Sequence, residues 1–225
     1  MKATALSVTL DDGQQVSALL ELPQDARACY VLGHGAGAGM THPFMTAVAE
    51  GLAARGIATL RYQFPYMERG SRRPDTPKLA QATVRAAVAE AARQVPDVAL
   101  FAGGKSFGGR MTSQAQAASP LPGVRGLAFL GFPLHPAGKP SVERAAHLAD
   151  IDVPMLFLQG TRDELAEQAL LQATVDELGA RAQLHWLDGA DHSFHVLARS
   201  GRKDVEVMAE ALDAMVRWID AVALR

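Results

Sequence analysis

Val98-Ala99-Leu100-Phe101-Ala102-Gly103-Gly104-Lys105-Ser106-Phe107-Gly108-Gly109-Arg110 is the stretch on which the reading of this chain turns. The apolar run from Val98 to Ala102 reads as a buried strand, and Arg110 to Ala115 as the first turns of a helix. Between them Gly104, Ser106 and Gly108 give G-x-S-x-G at a strand-to-helix turn, the pattern of a nucleophile elbow. Small residues flank the serine because the turn is tight, and bulk on either side would strike the neighbouring strand or helix. The hydroxyl then stands exposed, with the amides of a helix N-terminus behind it to stabilise developing negative charge.

Two phosphate-binding templates overlap the same glycines and fail on context. Ala99 to Ser106 fits a relaxed phosphate loop, but Leu100, Phe101 and Ala102 are strand-like where a flexible glycine-rich turn is needed. Gly33, Gly35 and Ala38 fit G-x-G-x-x-A after a strand. The next strand, however, ends in Arg61-Tyr62, without the acidic residue that would hold a ribose.

With 225 residues, 48% hydrophobic and 20% charged, the chain has the composition of one α/β domain with a sizeable core. A net charge of −2 gives no reason to expect nucleic acid or a membrane surface as partner. The single cysteine, Cys29, fits a reducing compartment. The residues from Met1 lack the apolar core of a signal peptide, so a cytoplasmic location is expected.

Residues 4–10 and 16–22 alternate apolar and polar around Asp11-Asp12-Gly13 and predict an antiparallel hairpin. Short apolar strands are expected at 28–32, 57–62, 98–102, 124–130, 154–158 and 182–187. Helices are expected from Pro43 to about Arg55, around Val84 to Val95, after Ser106, over 164–178, and near the C-terminus. There Met208, Leu212, Met215, Ile219 and Val222 share one face. A long loop is expected from Gln63 to Pro77. Strands alternating with helices predict a three-layer α/β fold: a mostly parallel sheet behind the hairpin, helices on both faces, residues 1–225 in one domain and no lid domain.

A serine needs a base to accept its proton and a third group to orient the base. In a parallel sheet these partners belong in loops at the carboxyl ends of later strands. Asp163 follows the strand Met155–Leu158, and His192 follows the strand ending at Leu187. The catalytic candidates are therefore Ser106, Asp163 and His192. Glu164 and His195 are the nearest rivals for the acid and the imidazole. A metal site is not expected, because neither His192-x-x-His195 nor His34 comes with further ligands.

Taken together, Gly33-His34-Gly35-Ala36-Gly37-Ala38-Gly39, Arg61-Tyr62-Gln63-Phe64-Pro65-Tyr66-Met67-Glu68 and Gly104-Lys105-Ser106-Phe107-Gly108-Gly109-Arg110 resemble the α/β-hydrolase superfamily over essentially the whole chain. More narrowly they look like a small lidless branch related to dienelactone hydrolases and testis-expressed hydrolase-like proteins. The resemblance implies an oxyanion hole from the backbone N–H groups of Phe107 and Ala36, no cofactor, and a small ester-like substrate. Dienelactone hydrolases carry cysteine as nucleophile where this chain has Ser106. Some members of the branch act within larger assemblies, so a binding or scaffold role is the alternative, although nothing in the residues indicates a protein partner.

The loop after Tyr62 should lie beside the site. It carries Tyr66, Met67, Arg69, Arg72 and Arg73, which together with Lys105 or Arg110 are candidates to contact an anionic acyl or leaving group. A solvated basic loop is the competing interpretation. Ester, thioester and lactone chemistry share one nucleophile and one oxyanion hole, and the residues do not separate them.

Overall fold

Along β3 (Ala28–Gly33), Ala28, Tyr30 and Leu32 pack with one half of the core, and Cys29 and Val31 with the other. This two-residue alternation, with every residue buried, is that of a central strand covered on both faces. The computed structural model describes residues 3–224 and contains an eight-stranded sheet in the order β1-β2-β4-β3-β5-β6-β7-β8. The remaining strands are β1 (Thr4–Thr9), β2 (Gln15–Glu21), β4 (Ile57–Tyr62), β5 (Ala99–Lys105), β6 (Val124–Leu130), β7 (Met155–Gly160) and β8 (Ala182–Leu187). β1 and β2 form the expected antiparallel hairpin, β2 joins β4 antiparallel, and all later neighbours pair in parallel.

Helices cover both faces. α1 (Pro43–Ala53) and α6 (Asp204–Ala223) pack with Tyr30, Phe101 and Leu156. α3 (Pro77–Gln94), α4 (Phe107–Ala118) and α5 (Gln168–Leu178) pack with Val31, Ala102 and Phe129. Pro43 and Pro77 open their helices, where the missing amide proton costs nothing. No helix among the described residues is long and apolar enough to cross a membrane.

Three elements depart from the sequence expectation. The loop from Gln63 to Pro77 contains a short helix, α2 (Pro65–Glu68), started by Pro65. The helix expected over 164–178 begins only at Gln168. Asp163 takes the Leu165 amide onto its own carboxylate at 2.8 Å, and this side-chain turn displaces the helical one. A 3-10 segment, Glu143–Asp150, was not anticipated and packs Ala145 and Leu148 into the core.

β3 lies between β4 and β5, so the chain leaves it in one direction and returns on the other side. Crevices open at the carboxyl ends of strands at such a reversal. Here the crevice receives the glycine loop after β3 and the elbow after β5. The two backbones meet without side chains between them. A Cβ on Gly104 would overlap the Gly33 carbonyl, and one on Gly108 would lie 2.8 Å from the His34 oxygen. Ser106 has φ 49° and ψ −110°, a conformation that L-residues avoid and that the surrounding packing must hold in place.

His34 pins the glycine loop. Its Nε2 accepts the Phe64 amide at 3.0 Å, so its Nδ1 carries the proton and donates to the Gly35 carbonyl at 2.8 Å. Burial pushes its pKa down to about 4. On the far face, burial and the nearby Arg110 guanidinium push His147 down to about 4 as well, and its Nε2 lies 2.8 Å from Ser113 Oγ. Cys29, wholly buried in β3, is pushed up to about 12 by the same loss of solvent.

Two outcomes are expected. Gly104→Ala should lower unfolding stability by about 2–4 kcal/mol in urea titration. Gly138→Ala, where φ is +68° but a Cβ meets nothing within 4 Å, should cost only about 1 kcal/mol. Equal losses would mean that strain in φ, and not the close approach to β3, sets the requirement. The second outcome concerns acid. An unfolded histidine takes up a proton near pH 6.5. Folded His34 does so only near 4, so the unfolded chain binds more protons in between. His34 therefore contributes stability above about pH 6.5, and loses it as pH falls toward 4, up to an order of 3 kcal/mol. The urea midpoint should drop between pH 7.5 and 5, and His34→Gln should shrink that drop.

Candidate active site

Ser106, His192 and Asp163 arrive from three strands, β5, β8 and β7, and their side chains join in one hydrogen-bonded chain. His192 Nε2 lies 2.9 Å from Ser106 Oγ, and His192 Nδ1 lies 2.7 Å from Asp163 Oδ2. The Asp163 side chain is fully shielded from solvent, while His192 keeps a quarter of its side-chain surface exposed. The carboxylate accepts three hydrogen bonds: from His192, from Gln159 Nε2 at 2.6 Å, and from the Leu165 amide at 2.8 Å. An acceptor-only carboxylate at Nδ1 requires the proton on that nitrogen, which leaves Nε2 free to accept the serine proton.

Gln159, at the end of β7, is the residue that sequence reasoning missed. Its Oε1 accepts the Phe132 amide at 2.8 Å and its amide nitrogen holds Asp163, so it ties the acid to the loop after β6. An amide closing the otherwise apolar run Met155-Leu156-Phe157-Leu158 is the signal that could have found it, since a buried polar side chain needs partners.

The rivals lie elsewhere. His195 is exposed and pairs with Asp204 at 2.8 Å, which raises its pKa. Glu164 is exposed beside Asp163, and it is Asp163 that hydrogen-bonds His192. Among the described residues no group of three or more His, Cys, Asp or Glu side chains is placed to hold a metal ion.

Behind Ser106, α4 begins with Phe107, and the first helical bond runs from the Arg110 amide to the Ser106 carbonyl at 3.0 Å. The amides of Phe107, Gly108 and Gly109 therefore precede the intrahelical ladder, with the Phe107 amide next to the hydroxyl. Ala36 is exposed on the facing loop. That loop is braced from below: the Gly37 amide donates to Tyr66 Oη at 2.9 Å, and the Met40 amide to Gln63 Oε1 at 2.8 Å.

A cavity of about 430 Å³ opens over the serine, lined by Ala36, Ala38, Phe44, Met45 and Leu165 together with Lys105, Ser106 and His192. It is mostly apolar with a few convergent polar groups, as small-molecule sites usually are. A wider depression behind Asp163, about 750 Å³ between His135 and Gln168, is lined by neither Ser106 nor His192.

The residues expected to contact substrate separate into three groups. Lys105 lines the cavity. Tyr66 is buried beneath the glycine loop, and Met67 is half-buried against Gly39. Arg69 pairs with Asp75 at 2.8 Å, while Arg72 and Arg73 are exposed, and none of the three arginines lines the cavity. Asp75 also accepts the Tyr66 amide at 2.9 Å, so the arginine loop is folded back on itself.

Solved structures share this architecture. A lidless α/β serine hydrolase from Xanthomonas campestris is 22% identical, with a TM-score of 0.75 over 97% of this chain and 95% of its own. A dienelactone hydrolase from Anabaena variabilis is 19% identical, with a TM-score of 0.79 over 99% and 98%. Est1E from Butyrivibrio proteoclasticus is 18% identical, with a TM-score of 0.71 over 96% and 99%. At these identities the likeness is one of fold. The family model described as alpha/beta hydrolase domain matches residues 26–220, and the chain belongs to that family.

Proposed function

We propose that the protein is a serine hydrolase that cleaves a small carboxylic ester or thioester through an acyl-enzyme intermediate. The observation that carries this reading is the continuous path from the shielded Asp163 carboxylate through His192 to the Ser106 hydroxyl, with each gap under 3 Å. Such a path has one chemical use of consequence, making a neutral hydroxyl nucleophilic.

In the first half-reaction Ser106 Oγ attacks the carbonyl carbon while His192 Nε2 takes its proton. The negative charge that forms on the carbonyl oxygen is held by the amides of Phe107 and Ala36. His192 then returns the proton to the departing alcohol or thiol, and the acyl group remains on Ser106. In the second half His192 deprotonates a water that attacks the ester, then returns that proton to Ser106 Oγ as the acyl–oxygen bond breaks and the acid leaves. Asp163 keeps Nδ1 protonated and stabilises the imidazolium of each tetrahedral state, without itself taking the proton. Gln159 and the Leu165 amide hold the carboxylate in the plane this requires.

The open, mostly apolar cavity supports a compact acyl group, and we read the chain as one hydrolase domain with no separate lid. Family membership and the likeness to a solved esterase domain from Rhodothermus marinus agree with hydrolysis.

Intact-mass analysis after a fluorophosphonate probe tests this. One adduct is expected on the wild type and none on Ser106→Ala, and Asp163→Asn should lower kcat toward short esters by about 10³-fold or more. A folded wild type that takes up no probe would overturn the hydrolase reading in favour of a binding role.

A further inference from the structure

Two consecutive residues of the elbow grip the two ends of His192. Ser106 Oγ meets the tip of its ring at Nε2, and Lys105 Nζ donates a hydrogen bond to its backbone carbonyl. We propose that Lys105 is a positioning residue: its buried ammonium staples the histidine loop to the elbow and thereby sets the register between His192 and Ser106. The proposal deepens the hydrolase reading and rests on it for its kinetic part only.

The surroundings of Lys105 are those of a built clamp. The residue is 9% exposed, and no carboxylate lies within ion-pairing distance among the described residues. The rings of Phe44, from α1, and Phe194, from the histidine loop, each lie 5.5 Å from Nζ and pack edge to face on one another, with centroids 5.4 Å apart. An ammonium beside two aromatic rings is attracted to both, more strongly out of water than in it. The cation thus fastens the loop twice, through the His192 carbonyl and through Phe194.

The loop needs fastening. Phe194 has φ 64°, a strained conformation for a residue that carries a Cβ, and it is wholly buried. The His192 carbonyl has no other hydrogen-bond donor among the described residues. Without Lys105 the backbone of the loop would keep the short bridge between Ala190 and Val196, the turn around Asp191 and the Asp204 contacts of His195 and Val196, and only the His192 ring itself would reach the elbow.

Charge matters as well as shape. The titratable groups acting on Nζ are the carboxylates of Asp163 and Asp191, from the loops after β7 and β8, and His192 adjoins it. Phe44, Phe194, Gly35 and Gly131 complete the shell and are uncharged. Burial outweighs the two carboxylates and pushes the ammonium down to about 8. Above that pH the amine keeps its hydrogen bond but loses both aromatic contacts.

The test compares wild type with Lys105→Met and Lys105→Arg, each first checked for a cooperative melt. With short neutral esters, Lys105→Met should lower kcat about 10- to 100-fold, the cost of an ångström-scale misplacement, with KM changed less than about threefold. Wild-type kcat should fall above about pH 8. Lys105→Met should lose that alkaline limb, and Lys105→Arg should carry it to higher pH. An unchanged kcat, or an alkaline limb that stays in place in both variants, would overturn the proposal. So would a loss confined to KM for anionic esters, which would make Lys105 a substrate contact.

Proton NMR of the His192 Nδ1–H, shared with Asp163, decides the point even if the wild type hydrolyses nothing. The downfield resonance should be present in the wild type and broadened or displaced in folded Lys105→Met, and an unchanged resonance overturns the proposal. Silence toward both probe and esters in the wild type would refute the hydrolase reading alone.

Discussion

The backbone of the elbow runs against the backbone of β3 with nothing between them, and the rest of the molecule is arranged around that approach. Gly104 and Gly108 leave no room for a β-carbon beside the Gly33 and His34 carbonyls. The closeness presses Ser106 into a positive φ and aims its hydroxyl out of the sheet. It also brings the first amides of α4 within reach of the glycine loop after β3. A looser contact would let the serine relax and separate the two sides of the crevice. The eight-stranded sheet supplies the rigidity that keeps such strain from dissipating.

Around this point the supporting contacts form two sets. One braces the acid side: Gln159 and the Leu165 amide fix Asp163, and Asp163 fixes the ring of His192. The other braces the loop that faces the serine, through His34, Tyr66 and Gln63. The first set is buried and polar, where every donor must find an acceptor, so each bond constrains orientation sharply. The second consists largely of side chains holding backbone amides, the natural way to stiffen a glycine-rich segment that cannot stiffen itself.

Much of this could be read from the chain because the signals were local. The elbow, the hairpin turn and the apolar run that becomes β3 are each written in fewer than ten neighbouring residues. Asp163 and His192 could be named because a parallel sheet sends its loops to one edge, so strand order alone brings them together. What escaped depended on contacts between distant segments. Gln159 looks like one polar residue at a strand end until Phe132 and Asp163 flank it. The late start of α5 follows from a carboxylate that prefers the Leu165 amide to a helical turn. The arginine loop suggested an anion site by composition, yet Asp75 folds it back through Arg69 and the Tyr66 amide. Lys105 read as one more cation near the serine, and only the fold reveals that it reaches the far side of His192.

The lone cysteine gives the architecture an intrinsic clock. Cys29 lies near the start of β3, wholly shielded, with its thiol held far above the range in which thiolates form at neutral pH. An alkylating reagent can reach it only when the middle of the sheet parts, an event on the scale of global unfolding and not of loop motion. The labelling rate of the untouched protein therefore reports how often the central strands separate. Because Gly33 ends the same strand and underlies the elbow, that rate also measures how durably the serine's strained turn is kept.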